Sequence, residues 1–358
     1  MTETLTHLGE YVRELRKRLP AHYFRPVPAR LLWMIPHALV ITGAALLIAT
    51  DGFGLFPAGW GWLAKAGASL LIGISFACLG FLGHEILHGS VVRTPWLRDL
   101  VGGICFAQFN LGPKLWRKWH NVEHHGHTQH ADDDPDAMGT LEDYRERKSL
   151  QVLYRLAPWT RSLLTFVSFS FWFSLHGLMM LKRYSGEFPR RRERALVILQ
   201  FALPLAAWLA LLVWLGPVSW LFMYLIPLLI ANFLVMSYIA TNHLLNPLTM
   251  TNDPLANSLT VRNPGWLEVL QLNFGFHTEH HIFPSMSPKF ATGVRRHIQE
   301  LWPDRYNELP HWKALRALWK TPRLYRDDSN LADPHQGHFF PVLGRGMNPD
   351  RIEPRREA

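Results

Sequence analysis

Eight histidines fall in three short clusters: His84-Glu85-Ile86-Leu87-His88, His120-Asn121-Val122-Glu123-His124-His125 and His277-Thr278-Glu279-His280-His281. Residues three or four apart share one face of an α-helix, so His84/His88, His120/His124, His277/His281 and His277/His280 each present two imidazoles together. Neutral imidazole is the commonest protein ligand of transition metals. Eight donors exceed what one ion takes, since zinc binds about four ligands and an octahedral metal about six. The arithmetic points to two metal ions. Imidazole binds iron, zinc, copper and nickel alike, so ligand type alone leaves the metal open. Glu85, Glu123 and Glu279 lie inside the clusters, where a carboxylate either accepts from an imidazole N–H or sits solvated on a helix surface.

The elements that must hold these clusters are apolar runs of membrane length. The chain is 48% apolar and 18% charged, against about 25% charged in soluble domains. Runs at about 31–50, 61–83, 161–181, 196–215 and 218–240 can each cross roughly 30 Å of hydrocarbon. A shorter run, 100–112, is broken by Gly102, Gly103 and Asn110 and reads as interfacial. Lys and Arg favour the cytoplasmic side. They crowd the N-terminal segment (Arg13, Arg16, Lys17, Arg18, Arg25, Arg30), the stretch before 161 (Arg145, Arg147, Lys148, Arg155) and the connection after 181 (Lys182, Arg183, Arg190, Arg191, Arg192, Arg194). With both flanks of 161–181 inside, that run should not cross. Four spans remain, the last two joined through Leu215-Gly216-Pro217, and every histidine cluster faces the cytoplasm. If 161–181 did cross, the third cluster would face away from the other two.

The net charge of +9 fits positive-inside topology and anionic lipid, and the long uncharged stretches argue against nucleic acid. Cys78 and Cys105 form no CxxC pattern, which speaks against a disulfide framework or a Cys-ligated iron–sulfur cluster. Electrons for a redox metal must then come from outside. No secretory signal is evident. The segment 325–358, rich in Pro, Gly, Asp and Arg, is expected to be an irregular tail.

The boxes HxxxH, HxxxHH and HxxHH, the continuation His281-Ile282-Phe283-Pro284 and the element Asp134-Pro135-Asp136 resemble the membrane fatty acid desaturase superfamily, which also holds hydroxylases and carotenoid ketolases. The resemblance covers roughly residues 30–300. It implies an all-α integral membrane fold, with four transmembrane helices, interfacial helices and a cytosolic helical cap carrying the boxes. The expected organisation is a cytosolic segment 1–30, a membrane domain 31–300 (spans about 31–50, 61–83, 196–215 and 218–240, with 161–181 interfacial) and a cytosolic segment and tail 301–358.

Carried over position by position, the resemblance makes His84, His88, His120, His124, His125, His277, His280 and His281 ligands of two non-haem iron ions. His243, just past the last span, stands where such proteins often use a further ligand, with Asn242 as a possible water-mediated partner. The family usually has no ligand at the positions of His127 and His130. Asp132, Asp133, Asp134 and Asp136 are hard oxygen donors that suit orientation of neighbouring imidazoles or a helix cap ahead of direct metal contact. His37 and His176, alone in apolar runs, read as packed histidines. The implied reaction uses O2 and two external electrons to remove two vicinal hydrogens from a lipid acyl chain. The alternative on the same scaffold is hydroxylation or carotenoid ketolation. A metal carrier or sensor would need an ionisable path through the spans, and only His37 and Lys65 are there. No HPGG haem motif of a fused cytochrome b5 occurs, so the implied electron donor is a separate ferredoxin or cytochrome b5. The expected location is the bacterial inner membrane, or the endoplasmic reticulum in a eukaryote, with both termini cytoplasmic.

Overall fold

A computed structural model describes residues 5–51 and 60–356. The loop expected outside between the first two runs falls largely on residues 52–59 and so lies outside the described residues. The chain divides into two compact units, one formed by Pro26–Trp119 with Ser168–Met236, the other by Met1–Arg25, His120–Val167 and Ser237–Ala358. They are called here the apolar and the histidine-rich unit.

Among the described residues, four helical stretches are long and apolar enough to cross a membrane: Pro28–Ala49, Gly61–Leu87, Pro158–Glu187 and Arg191–His243. The third contains the run 161–181, so its length and composition suit a span and only its basic flanks argue otherwise. The fourth contains both 196–215 and 218–240 and bends at Gly216, where φ is +77° and ψ 167°. Glycine adopts that backbone without a Cβ clash. Beyond the bend, Trp220 Nε1 donates to the carbonyl of Trp208 at 2.8 Å. The rings of Trp208 and Tyr224 stack at 4.1 Å, whereas in a straight helix these residues would stand about 24 Å apart. The chain therefore doubles back as a helical hairpin. Leu39, Val213 and Trp214 stand exposed on these helices, as lipid-facing side chains do.

In the apolar unit the Gly61–Leu87 helix is buried continuously from Ser75 to Cys78 and again from Gly80 to its end at Leu87. Glu85, inside the first histidine box, is not a solvated carboxylate. Its Oε2 accepts from Arg30 Nε at 2.9 Å and Nη2 at 2.7 Å in a buried ion pair, while Ser90 Oγ closes the helix end by donating to the Glu85 carbonyl.

The histidine-rich unit is built around short elements. The third box forms a six-residue helix, His277–Ile282, buried throughout. Leu272 and Asn273 precede it with left-handed backbone. At Gly275 the chain passes so close to strand β1 (Thr260–Arg262) that an added Cβ would lie 2.3 Å from the Val261 carbonyl oxygen. The Val261 N–H in turn donates to the Gly275 carbonyl. β1 pairs in parallel with β2 (Glu308–Pro310). The other face of the box-three helix is held by a core of Ile282, Phe283, Met286, Val294, Ile298 and Leu255, into which the amphipathic N-terminal helix Leu8–Arg16 inserts Tyr11 and Leu15.

The expected irregular tail is folded. Residues from 325 onward form an antiparallel four-stranded sheet, β3 (Tyr325–Asp327), β4 (Asn330–Ala332), β5 (His338–Pro341) and β6 (Arg355–Arg356). Strands of two to four residues carry too little periodicity to read from sequence. The sheet is anchored by scattered apolar residues: Tyr325, Leu331, Phe340 and Val342 pack with Leu248.

The close approach at Gly275 makes a test. Gly275→Ala should force β1 and the box-three helix apart and cost about 1–3 kcal/mol or more, lowering the thermal unfolding midpoint of the detergent-solubilised protein. Gly126→Ala, where the added methyl meets nothing within 4 Å, should leave it nearly unchanged. Equal midpoints for the two variants would refute the backbone contact.

Candidate metal centre

The second box does not sit on an ordinary α-helix. Residues Arg117–His124 form a π-helical turn, with hydrogen bonds that close one residue later than in an α-helix. The wider turn brings residues four and five apart to one side. It lets His125 as well as His124 meet His120. The His120 ring stacks on His124 with centroids 5.0 Å apart, and its Nε2 also lies 3.2 Å from Nε2 of His125. In the third box His277 and His281 sit one α-turn apart, with Nε2 atoms separated by 3.1 Å.

Two sets of imidazole nitrogens converge in the histidine-rich unit. In one, His124, His243, His277 and His281 place one nitrogen each within 4.8 Å of one another, all four residues buried. Nε2 of His277 is 2.7 Å from Nε2 of His243. In the other, His120, His125 and His280 converge likewise, with Nε2 of His280 3.2 Å from that of His125. The sets adjoin, because the His125 and His281 rings stack at 4.3 Å. In the apolar unit, His84 and His88 have ring centroids 4.7 Å apart. Both rings meet the buried Trp116 edge-to-face, at 5.3 and 5.2 Å.

What the opposite ring nitrogens do decides the chemistry. His124 Nδ1 lies 3.0 Å from Asp134 Oδ1 and donates to it. His243 Nδ1 donates to the Asn257 carbonyl at 3.3 Å. Thr128 Oγ1 spends its proton on the His124 carbonyl at 2.9 Å, so it accepts from His281 Nδ1 at 3.3 Å. Three rings are thus set as Nδ1–H tautomers, which leaves the lone pair on Nε2, and Nε2 of both His243 and His281 closes on Nε2 of His277. Facing lone pairs in a buried site repel unless a cation stands among them, and outer acceptors of this kind are how proteins orient metal-binding histidines. Asn242, fully buried beside His243, leaves both amide atoms without a hydrogen-bond partner among the described residues, an unmet polar group of the sort a filled site satisfies. The donor set fits bound metal.

The electrostatics point the same way. Burial alone would lower the His124 pKa, but the carboxylates of Asp134 and Asp136 push it up to about 9. That negative pair favours positive charge at this ring. Burial, with His125 and His277 beside it, holds His281 well below the ordinary histidine value, leaving it neutral as a ligand must be. Burial pushes Glu279 up to about 6 against the hydroxyls of Tyr306 and Thr260 that donate to it.

Of the other candidates, His127 is exposed and its Nδ1 donates to the Glu123 carbonyl, and His130 pairs with Asp133. Both lie outside the converging sets. Asp136 can approach His120 and His124 as a third donor. Sequence reading did not find Thr128, Gln129 or Asn257. Gln129 Nε2 donates to the carbonyls of His243 and Asn246 and to Tyr325 Oη, which fixes the end of the helix carrying His243. Thr128 and Gln129 lie between box two and Asp134, a stretch whose polar density was the available signal. Asn257 acts through its carbonyl and gives no signal at all.

Long apolar helices suit a membrane protein, and the buried, converging imidazoles could hold metal. Residues 60–313 match the fatty acid desaturase family, and the chain belongs to it. It is 22% identical over 296 residues to the chloroplastic omega-6 fatty acid desaturase of Spinacia oleracea, covering 79% of this chain and 62% of that protein. It is 22% identical over 345 residues to the sn-1 oleoyl-lipid 12-desaturase of a Synechocystis species, covering 91% and 90% of the two chains. With the sn-1 acyl-lipid omega-3 desaturase (ferredoxin) of the same organism it shares 24% identity over 366 residues, covering 94% and 90%. The aligned part spans 62–64% of the length of the chloroplastic relatives.

Removing the acceptor of His124 tests the centre. Asp134→Asn should weaken metal binding about 10–100-fold, read by competition with a chelator. Thr128→Val should act in the same direction through His281. Unchanged affinity in both would show that these groups do not orient ligands.

Proposed function

We propose that the protein is a membrane-bound acyl-lipid desaturase that introduces a double bond into a fatty acyl chain of a membrane glycerolipid, using O2 and two electrons from a separate donor. The observation that carries this reading is the convergence of one ring nitrogen each from His124, His243, His277 and His281, with the Nε2 atoms of the last three 2.7 and 3.1 Å apart, in a chain of the desaturase family. His120, His125 and His280 are proposed as ligands of a second ion. His84 and His88 are proposed as further iron ligands on the resemblance of their box to that of the family. Iron bound by these residues supplies the activation of O2 and the removal of hydrogen from an unactivated methylene, chemistry that no side chain can perform.

The protein's own part is to position and exclude. Asp134, Thr128 and the Asn257 carbonyl hold the protons on Nδ1, so Nε2 remains a donor at every turnover. The buried walls exclude bulk water from the site. An acyl chain offers no polar handle at its middle carbons, so the site of reaction has to be set by how far the chain can enter an apolar path. The names of the Synechocystis relatives support an acyl-lipid substrate, and one of them supports ferredoxin as the donor class. The basic flanks of the apolar runs support a cytoplasmic position for both termini.

Expression in a host of known lipid composition tests the proposal. New double bonds, located by mass spectrometry, should appear in glycerolipid acyl chains and should vanish in His243→Ala. Hydroxylated or keto products with unchanged unsaturation would assign the protein to the hydroxylase or ketolase branch instead.

A further inference from the structure

Away from the histidines, the histidine-rich unit has a cavity lined by basic side chains. Its volume is about 80 Å³. By the same measure one water needs about 10–15 Å³, so it has room for a phosphate group. Its wall is formed by the first turn of the Pro158–Tyr184 helix, the end of the His311–Lys320 helix and the segment leading into β5. The charged or titratable side chains lining it are Arg161, Lys320, Arg323, His338 and a single carboxylate, Asp333.

That carboxylate is already committed. The Arg161 guanidinium forms a buried ion pair with Asp333 and also donates from Nη1 to the Tyr154 and Leu156 carbonyls, both at 3.0 Å. Among the described residues Arg323 has only neutral acceptors: the carbonyls of Leu318 at 2.7 Å and Thr321 at 3.3 Å, and Ser162 Oγ at 3.3 Å. Arg323 and Lys320 therefore leave the cavity with uncompensated positive charge. Burial, with Arg161 nearby, holds the Arg323 pKa below its ordinary value, the strain that a neighbouring anion would relieve. The cavity also faces the start of a 27-residue helix, where the backbone dipole favours negative charge.

The surroundings indicate where the anion comes from. After this first turn the helix exposes Leu163, Leu164 and Val167, and Trp159 and Trp319 are exposed beside the cavity. Trp319 is fixed there by its carbonyl, which accepts from Ser162 Oγ at 2.7 Å, and by packing on Phe166 at 5.2 Å. Tryptophans collect at the headgroup level of a bilayer. Whether the helix crosses the membrane or lies along it, its basic N-terminal end belongs at the lipid–water boundary.

We propose that this cavity binds the phosphate of an anionic glycerophospholipid, with Arg161, Arg323, Lys320 and His338 around the phosphate and Trp159 and Trp319 at the acyl–headgroup junction. The site needs neither iron nor desaturase activity, so it stands or falls separately from the proposed function.

The test is a binding titration of the delipidated full-length protein in detergent, followed by native mass spectrometry. Phosphatidylglycerol, an uncharged galactolipid with the same acyl chains and inorganic phosphate alone serve as probes. Phosphatidylglycerol should bind at least about fivefold more tightly than the galactolipid, and Lys320→Gln and Arg323→Gln should each weaken it about fivefold, the worth of one cation near a charged lipid. Lys320 is exposed, so its variant keeps the test valid if Arg323→Gln fails to fold. Equal affinity for the two lipids, or no effect of Lys320→Gln, would overturn the proposal. Saturation by inorganic phosphate with no preference for the phospholipid would assign the cavity to a free anion and equally overturn it.

Discussion

The structure depends on one constraint: imidazole Nε2 lone pairs face one another in a buried space, and their Nδ1 protons are held on outer acceptors. Asp134, Thr128 and the Asn257 carbonyl impose that orientation on His124, His281 and His243. Without a cation the arrangement leaves like poles opposed. With one, each lone pair has a partner and each N–H keeps its own. Much of the histidine-rich unit serves to hold this geometry. The π-turn brings His120 and His125 together, Gly275 allows β1 to press against the third box, and the core under Ile282 and Phe283 closes the far side.

The C-terminal sheet takes part in the same support. Tyr325, on β3, donates to the Asn246 carbonyl at 2.5 Å and accepts from Gln129. Gln129 in turn holds the His243 carbonyl. Residues more than 75 positions beyond His243 thus help fix the end of its helix. Asp253 acts similarly on the N-terminal side. It is fully buried and accepts from Tyr11 Oη, the Thr6 N–H and Arg305, tying the first helix to the segment that ends at Asn257.

The parts legible in the sequence were those with strong local signals. Histidine spacing marked the imidazoles that converge, and uninterrupted apolar runs marked helices of membrane length, because both signals recur within a few turns of one helix. The π-turn was not legible, since HxxxHH is compatible with an α-helix and the shift of one residue shows only in three dimensions. The sheet after residue 325 was read as irregular because its strands are too short to show alternation. The carboxylates inside the boxes were ambiguous. Glu85 proved to be paired with Arg30, 55 positions away, and Glu279 with two hydroxyls, while the acceptor for His124 came from Asp134 outside the box. Such partners are chosen by tertiary packing, which local pattern does not encode. The run 161–181 shows the converse limit: its length and composition suit a span, and its basic flanks oppose one.

The most direct measurement of the central claim is metal analysis of the purified protein, combined with X-ray absorption at the metal edge. About two irons per chain, with first coordination shells dominated by imidazole nitrogen, is the result these facing lone pairs predict. A single zinc without iron, or iron held mainly by carboxylate oxygen, would contradict it.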